Sequence, residues 1–167
     1  MLVRYKFYCE PKNYFSNKYE LNPAHSEVVE AVKTIKPCKA LDLGCGQGRN
    51  ALFLSSLGFD VTAVDQNIPG LQYLKNVAEA ENLDIKVAHY DINTAALRNT
   101  YDFISSTVVL MFLNPECIDN VITNMQEQTN IGGYNLIVSA MSTEDAPCPL
   151  PFPFTLKENE LKEYYRD

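Results

Sequence analysis

The chain has 167 residues, 46% of them hydrophobic and 21% charged, and carries a formal net charge of −7. That length suits one domain around a single sizeable core, and the acidic balance argues against nucleic acid as a partner, because its phosphate backbone requires clustered Lys and Arg. No apolar run reaches bilayer length, and Met1–Lys6 has no signal-peptide core; the five scattered cysteines, none in a C-x-x-C pair, fit reduced thiols in a cytoplasm better than a disulfide frame or a zinc site.

Residues 1–12 show no clear period and are expected to be an arm or linker ahead of a domain over 13–167. Tyr14, Phe15 and Tyr19 then precede Asn22-Pro23, which reads as an N-cap followed by Pro at the first helical position. Val28, Val29, Val32 and Ile35 give that helix an apolar face, and Pro37 stops it. The apolar run Ala40–Leu43 ends in Gly44-Cys45-Gly46-Gln47-Gly48, after which Ala51, Leu52, Leu54 and Leu57 continue at helical spacing. This is strand, tight glycine turn and helix N-terminus, with Gly58 as the helix C-terminal cap.

A second strand, 59–65, ends in Asp65, and Asn67 to Pro69 opens a helix with Leu71, Leu74, Val77 and Ala78 on one side. A third strand, 85–91, ends in Asp91. A fourth begins at Tyr101 and runs into Thr107 and the apolar stretch beyond it. Residues 115–128 form a helix with Ile118, Val121, Ile122 and Met125 as its buried stripe. Gly132-Gly133 turns into a fifth strand, 134–140. Pro147, Pro149, Pro151 and Pro153 then alternate around Phe152 and Phe154, and 156–165 begins a last helix. Strands alternating with helices predict an α/β domain with a mainly parallel sheet and helices on both faces.

In such a sheet, ligands bind beyond the carboxyl ends of the strands, at the switch point beside the first strand. The glycine turn, Asp65, Asp91 and Ser106-Thr107 all fall on that edge. A Cβ at Gly44 or Gly46 would collide with a ligand lying on the turn, and amide donors at the helix start favour a carboxylate or a phosphate. The spacing G-x-G-x-G departs from the G-x-G-x-x-G dinucleotide fingerprint, and without a following Lys-Ser/Thr it is no P-loop. Asp65 is placed to accept from both hydroxyls of a ribose, and Asp91 from the exocyclic amine of an adenine. Asp42 either holds the turn or attracts a cationic group. Amide donors beside an acid suit an amino-acid zwitterion as well as a phosphate.

The stretches Leu41 to Gly48, Val64-Asp65, Tyr90-Asp91 and Gly132-Gly133-Tyr134 resemble class I S-adenosylmethionine-dependent methyltransferases. Asn13-Tyr14-Phe15, Lys18 to Leu21, His25 to Val28, Ser106 to Leu113 and Phe152-Pro153-Phe154 resemble, more closely, the tellurite-resistance methyltransferases among them. The resemblance implies a Rossmann-like class I methyltransferase fold and S-adenosyl-L-methionine as cofactor, with S-adenosyl-L-homocysteine as product. It also implies methyl transfer to a small acceptor such as a tellurite or selenite oxyanion, with no metal. An alternative is a cofactor-binding module without catalysis. The expected cofactor-binding set is Gly44, Gly46, Arg49, Asp65, Asp91, Ile92 and Thr107. Tyr14, Tyr19, Phe152 and Phe154 are expected as a lid, and His25 as a substrate-side residue or a helix cap. The class I sheet has seven strands and five are readable here, so the resemblance implies a C-terminal strand pair beyond Asp167. The segment after the fourth strand lacks the Asn/Asp-Pro-Pro-Tyr/Phe motif of amino-group methyltransferases acting on adenine or glutamine.

Overall fold

A computed structural model describes residues 11–166. The strands are β1 (Lys39–Leu43), β2 (Asp60–Asp65), β3 (Ile85–His89), β4 (Tyr101–Thr107) and β5 (Thr129–Val138). The helices are α1 (Pro11–Tyr19), α2 (Ser26–Ala31), α3 (Arg49–Ser56), α4 (Ile68–Ala80), α5 (Ile118–Glu127) and α6 (Glu160–Tyr164). The sheet order is β3-β2-β1-β4-β5, and every pair is parallel.

Alternation along β1 divides the interior into two layers. Ala40 packs with Phe15, Val28, Leu52, Leu54, Leu74 and Phe103 under α1 to α4. Leu41 and Leu43 pack on the other face with Ile104, Leu110, Ile118, Ile122 and Met125, under α5. The chain therefore winds outward from β1 to β3 on one face, returns beside β1 as β4, and continues to β5 on the other. The switch point falls between β1 and β4, the geometry that opens a crevice at the carboxyl ends of the strands.

Several boundaries differ from the sequence expectation. The aromatics Tyr14, Phe15 and Tyr19 lie in a helix of their own, α1, so the expected arm is helical from Pro11; residues 1–10 lie outside the described residues. The cap of α2 is His25, not Asn22: its Nδ1 accepts from the Glu27 amide at 3.2 Å, so Pro23 lies before the helix. That helix ends at Ala31, ahead of Pro37. Gly132-Gly133 lies inside β5, at a register irregularity opposite Tyr101 and Phe103. A Cβ on Gly133 would come within 2.7 Å of the Asp102 carbonyl, so glycine lets the irregular strand stay close to its neighbour.

Candidate functional site

The glycine turn is built by backbone bonds reaching across the strand ends. The amides of Gly44 and Cys45 both donate to the Val64 carbonyl, at 2.9 and 3.0 Å. The Gly46 amide donates to Asp65 Oδ2 at 2.8 Å, and Asp65 Oδ1 accepts from the Asn67 amide at 2.8 Å. Asp65 thus ties the turn to the start of α4. The three glycines of the turn all have positive φ, at 81°, 55° and 88° in chain order, yet their surroundings differ. A Cβ on Gly44 would run into Val109, and one on Gly48 into Leu74, whereas a Cβ on Gly46 would meet nothing within 4 Å. Gly48 is the packing glycine between helices, and Gly46 leaves bare backbone facing open space.

Two cavities meet at this turn. One, of about 290 Å³, is lined by Gly44, Gly46, Asp65, Gln66, Asp91, Ile92, Val108, Val109, Phe112 and Leu113. The other, of about 210 Å³, is lined by Leu21, Asn22, Gly44, Cys45, Gly46, Gln47, Arg49, Asn50, Thr107 and Val108. The expected cofactor set is therefore brought together in full, divided between two compartments. Asp65, Asp91 and Ile92 face the first, Arg49 and Thr107 the second, and Gly44 and Gly46 belong to both.

Each compartment is braced from behind. Asp91 Oδ1 accepts from the amide and the side-chain amide of Asn93, both at 3.0 Å, capping the short 3-10 turn Ile92–Thr94. On the other side Asn50, buried in the first turn of α3, accepts from the His25 amide at 2.9 Å and donates to Thr107 Oγ1 at 2.9 Å. It fastens the start of α2 to the end of β4 through α3. Arg49 has no ion-pair partner among the described residues. Directly beneath, Asp42 is fully buried; its Oδ1 accepts a long 3.4 Å bond from Ser105 Oγ, and its Oδ2 has no partner among the described residues. Burial pushes its carboxyl up to about 7, with the Ala51 amide, Ser105, the Arg49 charge and Asn50 acting against that rise. Burial also raises the Cys45 thiol, helped by the charges of Asp42 and Asp65, which leaves it an unreactive filler of the turn.

The expected lid is only partly at this edge. The hydroxyls of Tyr14 and Tyr19 converge on Glu81, beyond the C-terminus of α4 and so toward the opposite edge of the sheet, and neither residue lines either of the two cavities. Lys18 Nζ joins them, donating to Glu81 at 2.7 Å. His25 caps α2 and lines neither cavity; burial, then the Arg49 charge, lowers its pKa. Phe152 stacks edge-on against Phe112 with centroids 5.3 Å apart, and Phe112 lines the larger cavity. Phe154 packs into the second core layer, its amide on the Met111 carbonyl at 3.3 Å. The sequence reading did not single out Asn50, Leu21, Asn22, Val108, Val109 or Phe112 for the site. Asn50 was signalled by its place at the end of the glycine turn, and Leu21, Val108, Val109 and Phe112 by lying in stretches that carry the family resemblance.

The parallel sheet, its switch point and the glycine turn define an open α/β protein with a crevice at the β1–β4 gap, and solved methyltransferases share that fold at 18 to 24% identity and TM-scores of 0.57 to 0.63. Much nearer is the crystal structure of TehB from Haemophilus influenzae, with a TM-score of 0.92 and 60% identity over 94% of this chain and 55% of that one. The family described as tellurite resistance protein TehB matches residues 7–167, and the chain belongs to that family. A curated relative from Haemophilus influenzae strain 10810, named probable S-adenosyl-L-methionine-dependent methyltransferase TehB, is 61% identical over 96% of this chain and 56% of its own length. Another, named hemagglutinin 1, from Eikenella corrodens, is 51% identical over 99% of this chain and 55% of its own length. The chain thus spans about half the length of the curated relatives it matches.

Proposed function

We propose that this chain binds S-adenosylmethionine across the two joined cavities and serves methyl transfer to a small acceptor, an oxyanion of the tellurite or selenite type. One observation carries the reading: the polar groups are sorted between the compartments, carboxylates in one and a cation in the other. Adenosine presents hydroxyls and an exocyclic amine, all donors, and suits the compartment of Asp65 and Asp91. An amino acid presents a carboxylate and suits Arg49 at the start of α3. Bare backbone at Gly46 fits a ligand passing from one compartment to the other.

The roles follow from these positions. Asp65, held by two amides, keeps free lone pairs for the ribose hydroxyls. Ile92, Val109 and Leu113 supply apolar walls for the base. Arg49 pairs with the carboxylate, while Asn50 and Thr107 fix the wall beside it. When bound, S-adenosylmethionine supplies a sulfonium methyl for in-line displacement. An oxyanion acceptor offers a lone pair with no proton to remove, so the protein's task is to orient the reactants and exclude water. The family's tellurite-resistance description supports that acceptor class. The net charge of −7 fits a small acceptor better than a polyanion. Free thiols at Cys38, Cys45, Cys117 and Cys148 fit a cytoplasmic site of action. No helix among the described residues is long and apolar enough to cross a membrane.

Calorimetric titration with S-adenosylhomocysteine, followed by turnover of S-adenosylmethionine with tellurite, tests both halves of the reading. Saturable binding and formation of S-adenosylhomocysteine are expected. Binding without turnover removes the catalytic half, and binding of NAD in its place removes both.

A further inference from the structure

We propose that Val108 is a positioning residue at the junction of the two cavities, its strained backbone holding an apolar wall against the sulfur end of the cofactor. The inference rests on the S-adenosylmethionine reading above.

Only Gly44, Gly46 and Val108 line both cavities. The first two have no side chain, so Val108 is the one side-chain-bearing residue shared by both compartments. Its backbone is in the left-handed region, at φ 60°. Among the described residues, the other non-glycine positions with positive φ are Glu20, Asn82, Ala95 and Asn159, none of them β-branched. A β-branched residue there is a steric outlier, and such strain persists only where the surroundings impose it, commonly at ligand sites.

Burial does not compensate for the strain, since Val108 remains 40% exposed. Two contacts impose it. The Val108 amide donates to the Val138 carbonyl at 2.7 Å, extending the β4–β5 ladder by one residue. Val109 then folds over Gly44, filling the space a Cβ there would need. The kink between the two valines leaves the Val108 side chain at the waist of the crevice. A ligand with an amino-acid end in one compartment and adenosine in the other has its linking atom at that waist. In S-adenosylmethionine the linking atom is the sulfur. A branched apolar side chain beside it keeps water from the sulfonium and limits the direction its methyl can face.

Calorimetry with S-adenosylmethionine and with adenosine, alongside melting curves, on the full chain and its Val108→Gly and Val108→Ala variants tests this. Glycine adopts positive φ without strain, so Val108→Gly is expected to keep or raise the melting temperature. Its affinity for S-adenosylmethionine is expected to fall at least fivefold, with adenosine, which fills one compartment only, bound as before. Val108→Ala is expected to fall between Val108→Gly and the unsubstituted chain in affinity. Affinity for S-adenosylmethionine within twofold of the unsubstituted chain, an equal loss for adenosine, or a melting temperature falling in step would overturn the proposal. If the unsubstituted chain does not bind S-adenosylmethionine, the reading itself falls and takes this inference with it.

Discussion

Asp65 has a structural duty and a proposed binding duty, and substitution can separate them. Its two oxygens accept the Gly46 and Asn67 amides, so Asp65→Ala should lower the melting temperature. If it also accepts the ribose hydroxyls, the same variant should lose about 1.5–3 kcal/mol of S-adenosylhomocysteine affinity per charge-assisted bond, with Asp65→Asn recovering part of both losses. Calorimetry that finds unchanged affinity in a destabilised Asp65→Ala would leave only the structural duty. Asp42 makes a separate demand on pH. Its carboxyl ordinarily titrates near 3.8, and burial raises it to about 7, so between these values the native state holds a proton that the unfolded chain has lost. Stability is then greatest at or below the unfolded value and falls as pH rises toward 7, by at most about 4 kcal/mol from this one group. Denaturation of the unsubstituted chain and of Asp42→Asn at pH 5 and pH 8 should show the variant gaining on the unsubstituted chain as pH rises. A constant difference would place the charge elsewhere.

At the scale of elements, the glycine turn divides into two glycines set by packing and one, Gly46, that faces open space and is proposed to meet the ligand. Gly48→Ala would drive a Cβ into Leu74 at a φ of 88°, and should destabilise by about 1–3 kcal/mol. Gly46→Ala meets open space and bears only the backbone strain, on the order of 1 kcal/mol. Melting curves should therefore penalise Gly48→Ala more, and cofactor titration should penalise Gly46→Ala beyond what its stability explains; the reverse ranking would contradict the assignment. The helix α1 poses a different question. Burial raises the Glu81 carboxyl, but Lys18 and the two tyrosine hydroxyls outweigh that and hold it below its ordinary value. Glu81→Gln should accordingly expose α1 to protease without abolishing folding, since Phe15 still anchors the helix in the core; an unchanged cleavage rate would show that the apolar contact alone suffices. This helix was illegible in the sequence because Phe15 is the one buried side chain among its described residues and its polar anchor, Glu81, is distant in the chain. The cap of α2 was misread for a related reason. Asn22-Pro23 carries the local signal, but His25, its amide held by Asn50, makes the cap.

For the whole molecule, the succession of strands along the chain, the parallel sheet and the edge that carries the crevice were legible because they follow from period and topology. Apolar runs bounded by turns marked the five strands, and Asp65 at the end of β2 and Asp91 just past the end of β3 fell at one edge by register, Asp65 opposite His89. The division of that edge into two compartments was not legible. It depends on the reversal at Val108, on Leu21 and Asn22 returning from α1, and on Phe112 following β4, all set by packing between distant segments. Gly132-Gly133 was read as a turn because the close approach of Asp102 that requires glycine there is a contact between strands. The two-compartment crevice is what ties the fold to the proposed chemistry, so the orientation of a bound ligand tests it most directly. A crystal structure of the chain with S-adenosylhomocysteine should show the ribose on Asp65, the base beside Asp91 and Ile92, the sulfur at Val108 and the carboxylate on Arg49. Density for the adenine against Arg49, or for a ligand outside both compartments, would contradict it.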